Sequence, residues 1–392
     1  MNNGVIDRTQ ELTRIREGLV HWPVTVLLGP RQCGKTFLVR NFATSLNHYF
    51  DLHALIDRTR LEDTGFKILD GLEGVVVIDE AQEMPQLLRQ LRVLADRPGR
   101  TTRFLLTGSA SPHLSKETAE SLTGRARLLS LNGFNVEEAG TSNWERLWLR
   151  GGFPRFYLDD PDSLSWERRQ HYLSQILERD IPALVDTRLR PEQLRRLALL
   201  LAHHHGQYWN HSEIASVLGI TGKTVQRYIE VFKGLYLLRE LAPYHENLGK
   251  RLRKAPKLYW RDSGLLHALL GIRDITTLYG VPQLGASWEG FVIEQFLTLA
   301  RLPEQDVFTW SVQSGAEVDL VVRSNGQLFG IECKASAAPT RTRAMTASIE
   351  SLGLKKLYVV YPGEKSFSIG DDIEIVPMCE LPRIITEITK SE

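Results

Sequence analysis

One stretch of eight residues constrains this chain more than any other: Gly29-Pro30-Arg31-Gln32-Cys33-Gly34-Lys35-Thr36. It matches G-x-x-x-x-G-K-[ST], follows the apolar run Val24–Leu28 and precedes the helical stretch Phe37–Ser45. A glycine-rich turn between a strand and a helix lets backbone N–H groups curl around phosphate oxygens. The lysine then brings a point charge to the β and γ oxygens, and the threonine brings a hydroxyl to Mg²⁺. ATP with Mg²⁺ is the expected ligand, held by Gly29, Pro30, Arg31, Gln32, Cys33, Gly34, Lys35 and Thr36. Cys33 lies where a helix dipole could lower its pKa, or where the loop simply tolerates a small residue.

Such a loop needs a parallel sheet around it. Short apolar segments recur at Val24–Leu28, His48–Leu52, Val75–Ile78, Arg103–Leu106 and Ala126–Leu131, separated by helix-length stretches, which predicts βαβ units. Val75-Val76-Val77-Ile78 is apolar throughout, as a strand covered on both faces must be. It ends in Asp79-Glu80, a carboxylate pair at the sheet edge where α/β folds bind ligands. Asp79 is expected to hold Mg²⁺ through water, and Glu80 to orient or deprotonate the attacking water. Ser109, after the next strand, either monitors the γ-phosphate or caps a helix. Arg125 and Arg127 flank the last strand. Either could reach a neighbouring subunit's nucleotide as an arginine finger, which would imply a homo-oligomer such as a ring.

Composition sets outer limits. At roughly 100–200 residues per domain, 392 residues favour several domains. Forty-eight Lys and Arg against 47 Asp and Glu leave a net charge of +1, so nucleic-acid binding must rest on local patches. Three cysteines without CxxC spacing form no disulfide framework, and the N-terminus lacks a signal-peptide pattern, so a cytoplasmic location is expected. No apolar run approaches the length of a membrane span.

Residues 207–262 read as helix, turn, helix and basic hairpin. Asn210 and Glu213 form a capping box, Gly219-Ile220-Thr221 is the turn, and Val225, Ile229, Phe232 and Tyr236 share one face of the second helix. Lys223 and Arg227 near its start are placed to touch DNA. The run Gly249–Lys257 carries Lys250, Arg251, Arg253, Lys254 and Lys257, which suits a wing gripping phosphates. The alternative is a winged helix used only for protein docking. His203-His204-His205 reads as a helix end, since consecutive helical residues point in different directions.

The C-terminal region carries a second chemical pattern. Val318–Arg323 and Gln327–Lys334 flank Ser324-Asn325-Gly326, a tight hairpin signal. Asp319 lies on the first strand, and Glu332 and Lys334 share one face of the second. Two carboxylates plus a lysine are what Mg²⁺-assisted phosphodiester hydrolysis uses, with Asp319 and Glu332 on the metal and Lys334 on the water.

These motifs carry two resemblances. Gly29–Thr36, Val75–Glu80 and Leu106–Ser109 resemble the phosphate loop, second acidic motif and first sensor of AAA+ and STAND-type ATPases. Gly152-Phe153-Pro154 resembles the G-x-P motif that such proteins place against adenine, which implies a nucleotide contact for Pro154. The hairpin resembles the PD-(D/E)xK nuclease superfamily, with Val318 in place of the usual proline and Glu289 or Glu294 as the acid on the preceding helix. The whole-chain order is similar to a prokaryotic AAA-family group whose C-terminal region is catalogued as a domain of unknown function.

The fold expected is α/β. A P-loop AAA+ core covers residues 1–140, a helical lid 141–205, a winged helix-turn-helix 206–280 and a restriction-endonuclease-like domain 281–392. The function expected is ATP-driven remodelling, translocation or cleavage of duplex, branched or damaged DNA. The alternative is an ATP-switched, STAND-like signalling or defence scaffold whose nuclease fold binds nucleic acid or protein without cutting.

Overall fold

The computed structural model describes residues 6–109, 120–185, 189–244, 255–312 and 315–390. The chain divides into two compact units, residues 1–133 with 234–236, and residues 134–233 with 237–392.

In the first unit, α1 (Thr9–His21) leads into β1 (Val24–Gly29), followed by α2 (Lys35–Val39), β2 (Tyr49–Asp51), α3 (Leu55–Glu62), β3 (Val75–Asp79), α4 (Gln86–Ala95), β4 (Arg103–Ser109) and β5 (Ala126–Ser130). All pairings are parallel, in the order β2-β3-β4-β1-β5. The α/β expectation holds here, and each apolar segment read from the sequence becomes a strand. Helix α4 turns Leu87, Leu88, Leu91 and Leu94 onto the sheet at helical spacing, where they join Val26, Leu28, Val76, Ile78, Phe104 and Leu106 in one core. Burying each such side chain contributes roughly 1.5–3 kcal/mol, so this core rather than the glycine-rich loop holds the unit together. Register fixes the functional edge. Gly29 pairs with Ser109, and Asp79 is the last residue of β3.

The second unit opens with α5 (Trp144–Arg150), α6 (Asp162–Gln175) and α7 (Pro191–His203). Next come β6 (Gln207–Tyr208), α8 (His211–Leu218), α9 (Gly222–Gly234), β7 (Leu238–Leu241), β8 (Lys257–Trp260) and α10 (Ser263–Leu270). Strands β6, β8 and β7 form a small antiparallel sheet in that order. The helix pair forms, but the caps differ from the reading. Asn210 accepts from Ser212 N at 2.9 Å with no capping box to Glu213, and Thr221 accepts from Thr224 N at 3.1 Å. Helix α9 ends at Gly234, before Tyr236 at φ 60°. The histidine run ends its helix. His203 closes α7, and His205 turns inward to accept the Trp260 N–H at 2.9 Å.

The last part contains α11 (Leu284–Ala300), β9 (Val307–Ser311), β10 (Glu317–Ser324), β11 (Gln327–Cys333), α12 (Arg343–Leu352), β12 (Lys356–Tyr361), β13 (Phe367–Ser368), β14 (Ile373–Pro377) and α13 (Leu381–Thr389). Its six-stranded mixed sheet runs β13-β14-β12-β11-β10-β9. The hairpin is as read, with Asn325 and Gly326 at φ 50° and 73°, the left-handed pair a two-residue turn requires. Strands β13 and β14 and helix α13 go beyond the sequence reading. The segment after β7 docks on β9 through Tyr244 N to Thr309 O and Thr309 N to Ala242 O, 2.7 and 2.9 Å. The small and large sheets therefore belong to one body.

A buried relay ties α5, α10 and α11 together. Trp148 Nε1 donates to Ser287 Oγ at 2.9 Å, and Ser287 Oγ lies 2.7 Å from His267 Nε2. His267 Nδ1 faces Leu149 O at 2.9 Å. Burial lowers the His267 pKa to about 3, so the ring stays neutral, with Nδ1 protonated. No helix among the described residues is long and apolar enough to cross a membrane.

Candidate functional site

The C-terminal edge of the first sheet gathers the residues that the motif requires. Two left-handed residues, Gln32 (φ 64°) and Gly34 (φ 99°), curl the loop between β1 and α2. Lys35 is 4% exposed, and its ammonium donates to Gly29 O at 3.0 Å and Pro30 O at 2.9 Å. No described carboxylate pairs with it, so one N–H remains for an external anion. Arg8 braces the loop from outside the motif. Its guanidinium donates to Cys33 O, Asn132 O and Gly133 O at 3.3, 3.1 and 3.2 Å. Thr36 is exposed at the mouth.

Asp79 is 1% exposed. It accepts the Tyr49 phenol at 2.7 Å and the Thr107 hydroxyl, and Thr107 in turn accepts the Glu80 N–H at 3.1 Å. Burial and the bond to Asp79 push the Tyr49 phenol upward, so it remains a donor. Glu80 sits at φ 59°, a left-handed position that costs a non-glycine residue about 1–3 kcal/mol and persists only where neighbours fix it. Its carboxylate accepts from Gln82 Nε2 at 2.5 Å and from Ser109 Oγ at 3.2 Å, while Gln82 Oε1 accepts the Ser109 N–H at 3.2 Å. The edge thus presents a buried carboxylate locked by two hydroxyls and a second one turned out of the strand.

A second cluster lies in the other unit. Period-two alternation puts Lys257 and Tyr259 on one face of β8. Both reach Glu289 of α11, at 2.8 Å from Lys257 Nζ and 2.6 Å from the Tyr259 hydroxyl. Lys257 Nζ also lies 2.5 Å from Glu317 and 3.6 Å from Asp319. The other Asp319 oxygen accepts the Cys333 N–H at 2.8 Å, and Lys334 pairs with Glu332 at 2.5 Å. Burial pushes the Glu289, Asp319 and Glu332 carboxyls upward. Burial opposes the Lys257 charge, but Glu289, Asp319 and Glu317 outweigh it and raise the pKa. Asp319, Glu332 and Lys334 are thus brought together with Glu289 of α11. Glu294 faces Arg239 and Arg261 instead.

Residues 21–140 match a family model described as an AAA domain. Residues 141–276 and 284–381 match two models described as domains of unknown function (DUF8612 and DUF4143). Over 376 residues the chain is 42% identical to the uncharacterized protein Rv2008c of Mycobacterium tuberculosis, across 95% of this chain and 84% of the relative. The uncharacterized protein Mb2031c of Mycobacterium bovis matches to the same extent. This chain belongs to the family of these mycobacterial proteins. Among solved structures it is similar to the Walker-type ATPase PABY2304 of Pyrococcus abyssi, at 17% identity and a TM-score of 0.46, over 69% of this chain and 97% of that one. The first unit is an AAA-type P-loop ATPase domain, a class that binds nucleotide with Mg²⁺. Its residues fit that ligand: a curled loop, a lysine with a donor to spare, an exposed threonine and a buried carboxylate.

Other residues that the sequence singles out in this family member find different surroundings. Cys33 is fully buried, its Sγ 3.6 Å from Leu131 O, and burial raises its pKa, which corrects the idea of an activated thiol. Arg125 binds Asp96 at 2.9 Å and Thr123 O at 2.9 Å, while Arg127 lies 3.5 Å from Glu17. Pro154 starts a short helix in the second unit, where the preceding Gly152 N donates to Asp262 at 2.8 Å. Lys223 and Arg227 are exposed on α9. Lys250, Arg251, Arg253 and Lys254 lie outside the described residues, whereas Lys257, counted with them as a phosphate grip, is buried against carboxylates. Sequence reasoning missed Arg8, Tyr49, Gln82 and Thr107. Only Thr107 carried a signal, sharing a strand face with Ser109.

Proposed function

We propose that this family member is an ATP hydrolase that acts on duplex DNA, with nucleotide turnover in the first unit and DNA contact in the second. The observation that carries the reading is the sheet edge where the Lys35 loop, buried Asp79 and outward Glu80 converge. Bound Mg²⁺ would neutralise phosphate charge there. Lys35 would turn its free N–H to the β and γ oxygens, and Thr36, through its hydroxyl, and Asp79, through water, would hold the metal. Glu80, aimed by Ser109 and Gln82, takes the proton of the attacking water or orients it.

DNA contact is assigned to α9. Lys223, Gln226 and Arg227 line a groove of about 820 Å³ together with Gln193, Thr221 and Thr224, alongside Glu230 and several apolar side chains, and its cations and donors suit phosphates and base edges. Cutting is not part of the reading. The described residues contain no group of three or more His, Cys, Asp or Glu that could hold a metal ion, and Glu289 and Glu332 are paired with Lys257 and Lys334. The residues present do not fit the nuclease metal, which favours a nuclease-like domain that binds without cleaving.

Fluorescence anisotropy with a labelled duplex and a four-way junction tests the DNA assignment. The double variant Lys223→Glu, Arg227→Glu should weaken binding at least tenfold and reduce the salt slope by about two, one unit for each lost phosphate contact. Affinity and slope equal to wild type on both substrates would remove α9 from the interface.

A further inference from the structure

We propose that Lys257 is a built-in cation that stands where a divalent metal would stand in the acidic cluster of the second unit, and so keeps the nuclease-like domain metal-free. The inference rests on reading the β10–β11 hairpin as nuclease-like.

The ammonium is enclosed rather than paired at a surface. Lys257 is 3% exposed, with Glu289, Glu317 and Asp319 at 2.8, 2.5 and 3.6 Å and the Tyr208 ring centroid at 5.5 Å. Three carboxylates converge on one cationic centre, and that centre is a side chain. Other donors also bind the cluster. The Tyr259 hydroxyl and the Cys333 N–H take up Glu289 and Asp319, and Lys334 takes up one oxygen of Glu332. The other Glu332 oxygen is buried without a hydrogen-bond partner.

Mg²⁺ demands about six oxygens at about 2.1 Å, several of them water, and tolerates little distortion. An ammonium within hydrogen-bonding reach of Glu289 and Glu317 repels such an ion and fills the space for its waters. Lys257 comes from β8 of the small sheet, not from the sheet that carries Asp319 and Glu332. The domain preceding the nuclease-like fold therefore supplies the occupant, and metal entry requires that this residue withdraw.

Mn²⁺ binding to the full-length, nucleotide-free chain, followed by electron paramagnetic resonance, provides the test. Wild type should show no Mn²⁺ uptake that depends on Asp319, so Asp319→Asn and wild type should titrate alike. Lys257→Met should gain one site at least tenfold tighter than any in wild type, and the added change Asp319→Asn should abolish it. Lys257→Arg should behave as wild type. A folded Lys257→Met that gains no site, or wild type with an Asp319-dependent site of equal affinity, overturns the proposal. If Lys257→Met does not fold, wild type decides alone through acylation of Lys257 by an amine-reactive ester. Protection of Lys257 with no Asp319-dependent Mn²⁺ uptake supports the proposal, and uptake while Lys257 stays protected overturns it. DNA cutting by Lys257→Met with Mn²⁺ separates the two readings: a metal gained without cutting defeats a competent nuclease site and leaves Lys257 as its occupant.

Discussion

Glu80→Gln should lower the ATP turnover number about 100- to 10 000-fold, the range that a positioned general base supplies, with ATP affinity unchanged. The amide keeps the size of the carboxylate and can still accept from Ser109, whose hydroxyl lies 3.2 Å from Glu80 in the native protein. It can no longer take a proton from water. The left-handed backbone at residue 80 is held by the Glu80 N–H bond to Thr107, which the substitution leaves in place. The thermal midpoint should therefore stay within a degree or two of wild type. Steady-state phosphate release and nucleotide titration on the same preparation check this. Turnover reduced less than tenfold would move the proton-accepting role away from Glu80.

A second substitution acts on the same edge through sterics. An alanine at Gly29 would place its Cβ 2.2 Å from the Leu131 carbonyl oxygen and 3.1 Å from Cys33 Sγ. The first neighbour is backbone fixed by the Leu131 N–H to Leu28 O bond of 2.7 Å, so it cannot swing aside as a side chain would. Overpacking of this kind costs about 1–3 kcal/mol, and the rigidity of this neighbour puts Gly29→Ala at about 3 kcal/mol or more. Denaturant unfolding should show that loss in the first unit, and ATP binding should fall with it because the loop begins at this residue. A variant of native stability would show that β1 and the segment after β5 can separate more easily than their hydrogen bonds imply.

How far the sequence reveals this molecule depends on whether the determining contacts are local. Val75–Asp79 and the Asn325-Gly326 turn are legible because strand period, motif spacing and turn chemistry act over a few residues. The buried hydroxyl on Asp79 is half-legible, since Thr107 shares its strand face with Ser109, although only Ser109 attracts attention as a sensor. Arg8 is not legible at all. It is a lone arginine before a helix, and the carbonyls that give it a purpose are 25, 124 and 125 residues away. Lys257 is actively misleading. Its sequence neighbours are cations, which reads as an exposed basic wing, while the carboxylates that bury it arrive from residues 289, 317 and 319. Burial of a charge is decided by tertiary partners, and no window of local sequence records them.

The central claim is that the loop from Gly29 to Thr36 captures ATP through Lys35. Calorimetric titration of the full chain with a slowly hydrolysed ATP analogue and Mg²⁺ tests it most directly, with Lys35→Ala alongside. One site per chain in wild type, and affinity reduced at least 100-fold in a folded Lys35→Ala, is the result expected from removing a charged partner of the phosphates, a loss of about 3 kcal/mol. No binding by wild type, or equal binding by the variant, would contradict it.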